Sequence, residues 1–403
     1  MESGGGGVSG QSLKPKVVFV LGATATGKSK LAISIAERFG GEVINSDKIQ
    51  VYDGFPIITN KVTKEEAAGV PHHLLGGVHP DADFTAEDFR REAAAAIARV
   101  LSAGRLPVVA GGSNTYVEAL VEGDGGAFLE KYNCLFVWVD AAPDRLQWYT
   151  AERVDDMVRR GLVGEARAAF YAGADYTRGA RRAIGLPEMH AYLLAEREGA
   201  GEAELASMLE SAVREIKRNT FRLADAQVAK IRRLSTLDGW DVRRVDVTAV
   251  FERMAEGAPH KETWEAVVWK PCEEMVTRFV HSTSKDDEEN INGDGGDAHA
   301  SAMRRCKDTE RASAPARLPV SSSPLDAAPH LQERYAALRL ARRRSGSHGA
   351  CLMRRTPSRR ARTEREAVAK LAPRVLPLPR LILPYYKQLL TSHKNPYLIA
   401  FVS

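Results

Sequence analysis

Apolar residues follow two spacings between positions 17 and 280. Short runs rich in β-branched and apolar residues at 17–21, 42–45, 106–110 and 134–139 have the character of strands buried on both faces of a parallel sheet. Between them, apolar positions recur every three to four residues and predict helices over 28–39, 86–103, 114–121, 143–160 and 165–172. The longest periodic stretch is 202–234, where Leu205, Leu209, Ala212, Ile216, Leu223, Ala226 and Ile231 fall at helical spacing. Its other faces carry Arg214, Lys217, Arg218, Arg222, Lys230, Arg232 and Arg233. Glycines at 123–126 and 199–201 punctuate the pattern. Strands and helices in alternation predict an α/β fold, a parallel sheet flanked by helices with a helical C-terminal part.

The pattern fails at both ends. Residues 1–15 are Gly/Ser-rich and predict a disordered arm. The domain is expected over 16–280, and 281–403 is expected to be a low-complexity, disordered tail. An acidic stretch at 282–301 and a basic one at 341–366 hold too few apolar residues to offset chain entropy. Aromatic residues barely interleave with the basic charges, which argues against a nucleic-acid-binding tail.

Composition changes this picture little. The 403 residues are 44% hydrophobic and 27% charged with a net charge of +5, which suits an anionic ligand without requiring nucleic acid. Cys134, Cys272, Cys306 and Cys351 lie far apart, so a zinc ribbon or a disulfide framework is excluded and a reducing compartment fits. No apolar run is long enough to span a bilayer, and the first residues lack the apolar segment of a secretory signal. The expected location is cytoplasmic, with the plastid left open, and the expected state is a monomer.

The chemistry starts at Gly22-Ala23-Thr24-Ala25-Thr26-Gly27-Lys28-Ser29, which satisfies G-x-x-x-x-G-K-[ST] between a strand and a helix. The glycines let backbone N–H groups turn inward around phosphate oxygens, and the helix adds its positive end. Lys28 supplies a full charge, and Ser29 offers a hydroxyl to Mg²⁺. This predicts a P-loop NTPase-like sheet and a bound di- or triphosphate, but not the reaction. Asp47 follows the second strand at the edge where ligands of parallel sheets sit, as a Mg²⁺ ligand, a general base or a simple cap. In the turn GGSNTY, Ser113 and Thr115 can hydrogen-bond a ligand, or Ser113 can cap the next helix. His72 and His73 fit a structural or gating loop better than a metal site.

The stretches GATATGKSKL, INSDKIQVYDG, ITNKVT, PHHLLG, VVAGGSNTY, ERVDDMVRRGL and RRAIGLPE, in that order, resemble the isopentenyltransferases, which prenylate N6 of adenine. The resemblance implies that the P-loop grips the diphosphate of dimethylallyl diphosphate. It makes Asp47 the base that accepts the N6 proton, and Lys28, Ser29-bound Mg²⁺ and Arg182 the stabilisers of the leaving diphosphate. Arg181, Lys217 and Lys230 are further candidate cations, and Asp140 is a strand–helix cap before Pro143. NSDKIQVY and ITNK are similar to the plant adenylate branch, which uses free AMP, ADP or ATP in the first step of cytokinin synthesis. The tRNA branch usually reads ADSRQVY…GTAK. Phe55 and Pro56 depart from the family pattern, where Leu and Asp are expected. The competing readings are a tRNA dimethylallyltransferase, a P-loop small-molecule kinase and a non-catalytic nucleotide-binding scaffold.

Overall fold

The computed structural model describes residues 14–282. The expected arm, apart from Lys14 and Pro15, and the expected tail beyond Ser282 lie outside the described residues.

Six parallel strands form one sheet: β1 (Lys16–Gly22), β2 (Gly41–Asn45), β3 (His72–His73), β4 (Leu106–Ala110), β5 (Asn133–Asp140) and β6 (Val242–Asp246), in the order β3-β2-β4-β1-β5-β6. The helices are α1 (Lys28–Phe39), α2 (Ala86–Ser102), α3 (Asn114–Glu122), α4 (Ala127–Lys131), α5 (Pro143–Arg160), α6 (Leu162–Ala169), α7 (Leu186–Glu198), α8 (Glu202–Leu234), α9 (Thr248–Ala255), α10 (Lys261–Trp264) and α11 (Lys270–His281). A 3₁₀ turn at Gly179–Arg182 precedes α7, and a π-helical turn at Glu265–Trp269 joins α10 to α11.

Both faces of the sheet are apolar because both are covered. Val18, Val20, Val108, Val137 and Val139 pack on one face with residues of α1, α5, α9 and α11. Val17, Phe19, Leu21, Val109 and Phe136 pack on the other with residues of α2 and α3. This period-two division explains why the strands read as nearly continuous apolar runs. A third cluster joins α5, α6, α7 and the first half of α8 through Val154, Leu162, Met189 and Ile216. The 33-residue α8, about 50 Å long at helical rise, runs from this cluster back to the sheet.

The helix expected over 165–172 instead starts at Leu162 and ends at Ala169. Gly161, at φ 113°, both ends α5 and opens α6, and Leu162 is fully buried. Glu165 then lies in the first turn, where its carboxylate accepts from Ile57 N–H at 3.1 Å and Ile58 N–H at 2.6 Å. Those bonds pin the turn-rich segment after β2. Phe55 sits there at φ 51° with its carbonyl accepting from the Thr59 amide and hydroxyl, and Pro56 is exposed. The departure from the family pattern at these two positions is thus accommodated within a hydrogen-bonded turn.

The sheet edge β6 and helices α7, α9 and α11 have no counterpart among the expected elements. Lys16 ties the last of them to the sheet, donating to the carbonyls of Val280 at 3.0 Å and Ser282 at 2.8 Å. A cation there complements the negative end of α11.

Candidate active site

Because every strand is parallel, the loops after β1, β2, β4 and β5 emerge at one edge of the sheet. The loop after β1 is the phosphate cradle. Its backbone curls through Gly22 at φ 153°, Ala25 at φ 72° and Gly27 at φ 87°. A Cβ on Gly22 would sit 2.6 Å from the Val139 carbonyl oxygen and 2.7 Å from Thr26 Oγ1. Gly22→Ala is therefore expected to destabilise the protein by about 2 kcal/mol or more, read as a lowered denaturant midpoint at unchanged slope.

Lys28 folds back into the loop, where Nζ donates to the Ala23 carbonyl at 2.5 Å. Burial, helped by the nearby Arg153 guanidinium and opposed by Asp47, brings its pKa from 10.5 down to about 7. Arg153 reaches in from α5 and donates from Nη2 to Thr24 Oγ1 at 2.6 Å. Its Nε is buried and lacks a hydrogen-bond partner among the described residues, and burial lowers its pKa. Two desolvated cations beside a glycine-rich cradle, with Asp47 as the carboxylate acting on both, make a site for a polyanion.

The Lys28 shift has a measurable consequence. Between pH 7 and 10.5 the unfolded lysine holds more proton than the folded one, so its contribution makes the ligand-free protein more stable as pH rises through that window. A bound diphosphate restores the charged form, so binding at pH 8 is expected to take up close to about one proton. The buffer dependence of the calorimetric enthalpy reads this uptake, and Lys28→Met should remove it. Equal uptake by both proteins would exclude Lys28 as its source.

The loop after β2 carries Asp47. Its Oδ1 accepts from the amides of Ile49 at 2.9 Å and Gln50 at 3.3 Å, which fixes the carboxylate as a local turn cap. Oδ2 faces Gly112 in the turn after β4, where an added Cβ would lie 3.2 Å from it. Gly111 is equally confined, since its Cβ would lie 2.4 Å from the Ser46 backbone. Ser113 occupies the position before α3 without capping it, and its Oγ accepts from the Lys48 amide at 2.8 Å. Thr115 is exposed on α3.

Among the other expected cations, Arg182 comes near this group. From the 3₁₀ turn it donates to the Tyr52 hydroxyl at 3.3 Å, and its charge, after burial, lowers the pKa of Lys48. The structure pairs Lys217 with Asp155 of α5 at 2.6 Å. Lys230 and Arg233 both pair with Glu118 of α3, and Arg181 pairs with Asp81. These charges are matched by carboxylates on neighbouring elements.

Asp140 is not the cap expected. Its Oδ2 accepts from Arg244 Nε at 2.7 Å, while Ala142 precedes α5 and donates its amide to Thr248 Oγ1. The β6 strand, which brings Arg244 alongside, was not visible in the chain pattern. His73 pairs with Glu42 at 2.5 Å and His72 with the Val70 carbonyl at 2.8 Å, both on the edge strand.

Arg153, Lys48 and Gln227 were not singled out from the sequence. Arg153 lies inside ERVDDMVRRGL, but nothing local separates it from the other arginines there.

Among the described residues no three His, Cys, Asp or Glu side chains are arranged to hold a metal. The half-buried Ser29 hydroxyl and the Asp47 carboxylate are hard oxygen donors beside the cradle. Such a set fits Mg²⁺ held mainly by substrate phosphates and water.

The IPP transferase family model matches residues 50–128 and 124–234. Adenylate isopentenyltransferase 5, chloroplastic, of Arabidopsis thaliana is 50% identical over 269 residues, covering 66% of this chain and 81% of that protein. The chain belongs to the IPP transferase family. Another member, adenylate isopentenyltransferase 7, mitochondrial, of the same plant is 46% identical over 274 residues, covering 68% of this chain and 82% of its own length. The fold of the IPP transferase is shared with the solved tRNA delta(2)-isopentenylpyrophosphate transferase of Staphylococcus epidermidis. That likeness has a TM-score of 0.52 at 22% identity, covering 66% of this chain and 99% of the other. No helix of this IPP transferase among the described residues is long and apolar enough to cross a membrane.

Proposed function

We propose that this IPP transferase moves the dimethylallyl group of dimethylallyl diphosphate to N6 of the adenine of free AMP, ADP or ATP, releasing diphosphate, as the first step of cytokinin synthesis. One observation carries the reading. A carboxylate oxygen, Asp47 Oδ2, stands free of the turn bonds made by Oδ1, beside a cradle holding Lys28 and Arg153.

The adenine amine is a weak nucleophile because its lone pair is delocalised into the ring. Asp47 accepts the N6 proton as the N6–C1 bond forms and the C1–O bond to diphosphate breaks. The negative charge that grows on the diphosphate is met by Lys28, Arg153 and the loop amides, with Arg182 as a further cation. Ser29 would hold Mg²⁺, which would supply additional positive charge to the leaving diphosphate. Asp140 is engaged by Arg244, which argues against the kinase reading, where that strand-end carboxylate serves a nucleotide-bound metal.

The identity to adenylate enzymes supports a free nucleotide over tRNA as acceptor. The relatives' names print the chloroplast or the mitochondrion, which supports an organelle, the plastid among them, over the cytoplasm expected above.

The protein is to be incubated with Mg²⁺ and dimethylallyl diphosphate plus AMP, ADP, ATP or unmodified tRNA in separate reactions, with products read by mass. A prenyl mass on a free nucleotide is the expected result and names the acceptor. A prenyl mass on tRNA alone would move the protein to the other branch. No prenyl product would overturn the proposal.

A further inference from the structure

Gln227 is a buried side chain on α8, 8% exposed, with both ends of its carboxamide engaged. Oε1 accepts from the Thr24 amide at 2.7 Å, and Nε2 donates to the Gly112 carbonyl at 2.8 Å. A backbone donor at one end and a backbone acceptor at the other permit only this orientation of the amide. Asn114 Nδ2 donates to the Gln227 carbonyl at 3.3 Å, holding α8 against the start of α3.

The two backbone groups belong to different parts of the reaction centre. Thr24 is in the phosphate cradle, and its hydroxyl accepts from Arg153. Gly112 is in the turn that lies against Asp47. A Cβ there would be 2.6 Å from Gln227 Nε2 and 3.2 Å from Asp47 Oδ2, so both polar atoms face one small gap.

We propose that Gln227 is a positioning residue that sets the spacing between the leaving-group cradle and the base, an inference that rests on Asp47 being the base. It touches neither the prenyl carbon nor the amine. It acts by holding two loops that have no covalent reason to stay in register. A shift of about 1 Å between a base and its substrate can cost about a hundredfold in rate.

Gln227→Met keeps the length and removes both bonds. Gln227→Glu keeps the acceptor for Thr24 but sets a carboxylate oxygen against the Gly112 carbonyl and near Asp47. Both variants are expected to lose about 10- to 100-fold in kcat per diphosphate-binding site, with the KM for dimethylallyl diphosphate little changed. In Gln227→Glu the acid limb of kcat/KM should also move to higher pH, because a second carboxylate raises the pKa of the first. Gln227→Met should leave that limb in place.

A residue needed only for folding would lower the fraction of active molecules and leave kcat per site and the pH profile as they were. Amide exchange at Thr24, measured without substrate, should be faster in Gln227→Met. Wild-type kcat per site in Gln227→Met, or unchanged Thr24 exchange, would overturn the inference. If the wild-type protein forms no prenyl product, the reading of the reaction fails separately, and Thr24 exchange alone decides whether the clamp exists.

Discussion

Asp47→Asn is expected to lower kcat by about 10²- to 10⁴-fold, the usual worth of a positioned general base. The KM for dimethylallyl diphosphate should stay near that of the unaltered protein. Asparagine preserves an oxygen for the amides of Ile49 and Gln50, so the turn after β2 stays capped and the loss falls on proton transfer. Asp47→Ala removes the cap as well and should add a stability loss of about 1 kcal/mol. Both are read by steady-state kinetics at saturating nucleotide, with diphosphate binding as the control for an intact cradle. Near-normal turnover in the asparagine variant would exclude Asp47 as the base.

Arg153→Met should separate activity from stability in opposite directions. Removing a cation aimed at the departing diphosphate is expected to cost about 10²- to 10³-fold in kcat. The ligand-free protein should melt at the same temperature or higher, because the variant no longer buries a cation whose pKa is lowered by desolvation. Arg153→Lys retains a charge but loses the planar donor set that serves Thr24 Oγ1, so it should recover only part of the activity. A variant that melts lower and binds diphosphate normally would make Arg153 a structural residue. The same measurement separates Arg153 from Lys217, whose ammonium is paired with Asp155 and whose removal should leave the cradle's charge intact.

The phosphate loop was legible because its information is local. Glycines at 22 and 27 are demanded locally by backbone angles, although Val139 and Trp264 from distant parts of the chain also leave no room for a Cβ there, and the lysine and serine follow directly. Helices α1, α5 and α8 begin and end where periodicity places them, since each presents a regular apolar face with clear punctuation. The short β6, with the burial pattern of one buried position in five, offers no comparable signal, and without it the partner of Asp140 is invisible. Asp47 was legible as a carboxylate at a strand end, but its position left base, metal ligand and cap open and only the resemblance chose the base, because its capped and its free oxygen are distinguished only by what faces each.

By itself the chain determined four strands of the sheet, β1, β2, β4 and β5, the helices α1, α2, α3, α5 and α8, the cradle, the carboxylate after β2 and, by resemblance, the family. Tertiary structure alone decided which charges meet there. Thr24 is joined to Arg153 across 129 residues and to Gln227 across 203. The same helix that delivers Gln227 to the cradle commits Lys217 and Lys230 to carboxylates on its neighbours. Periodicity says that a side chain lies on a helix face. Which partner stands opposite depends on how that helix packs, and local pattern holds no record of it.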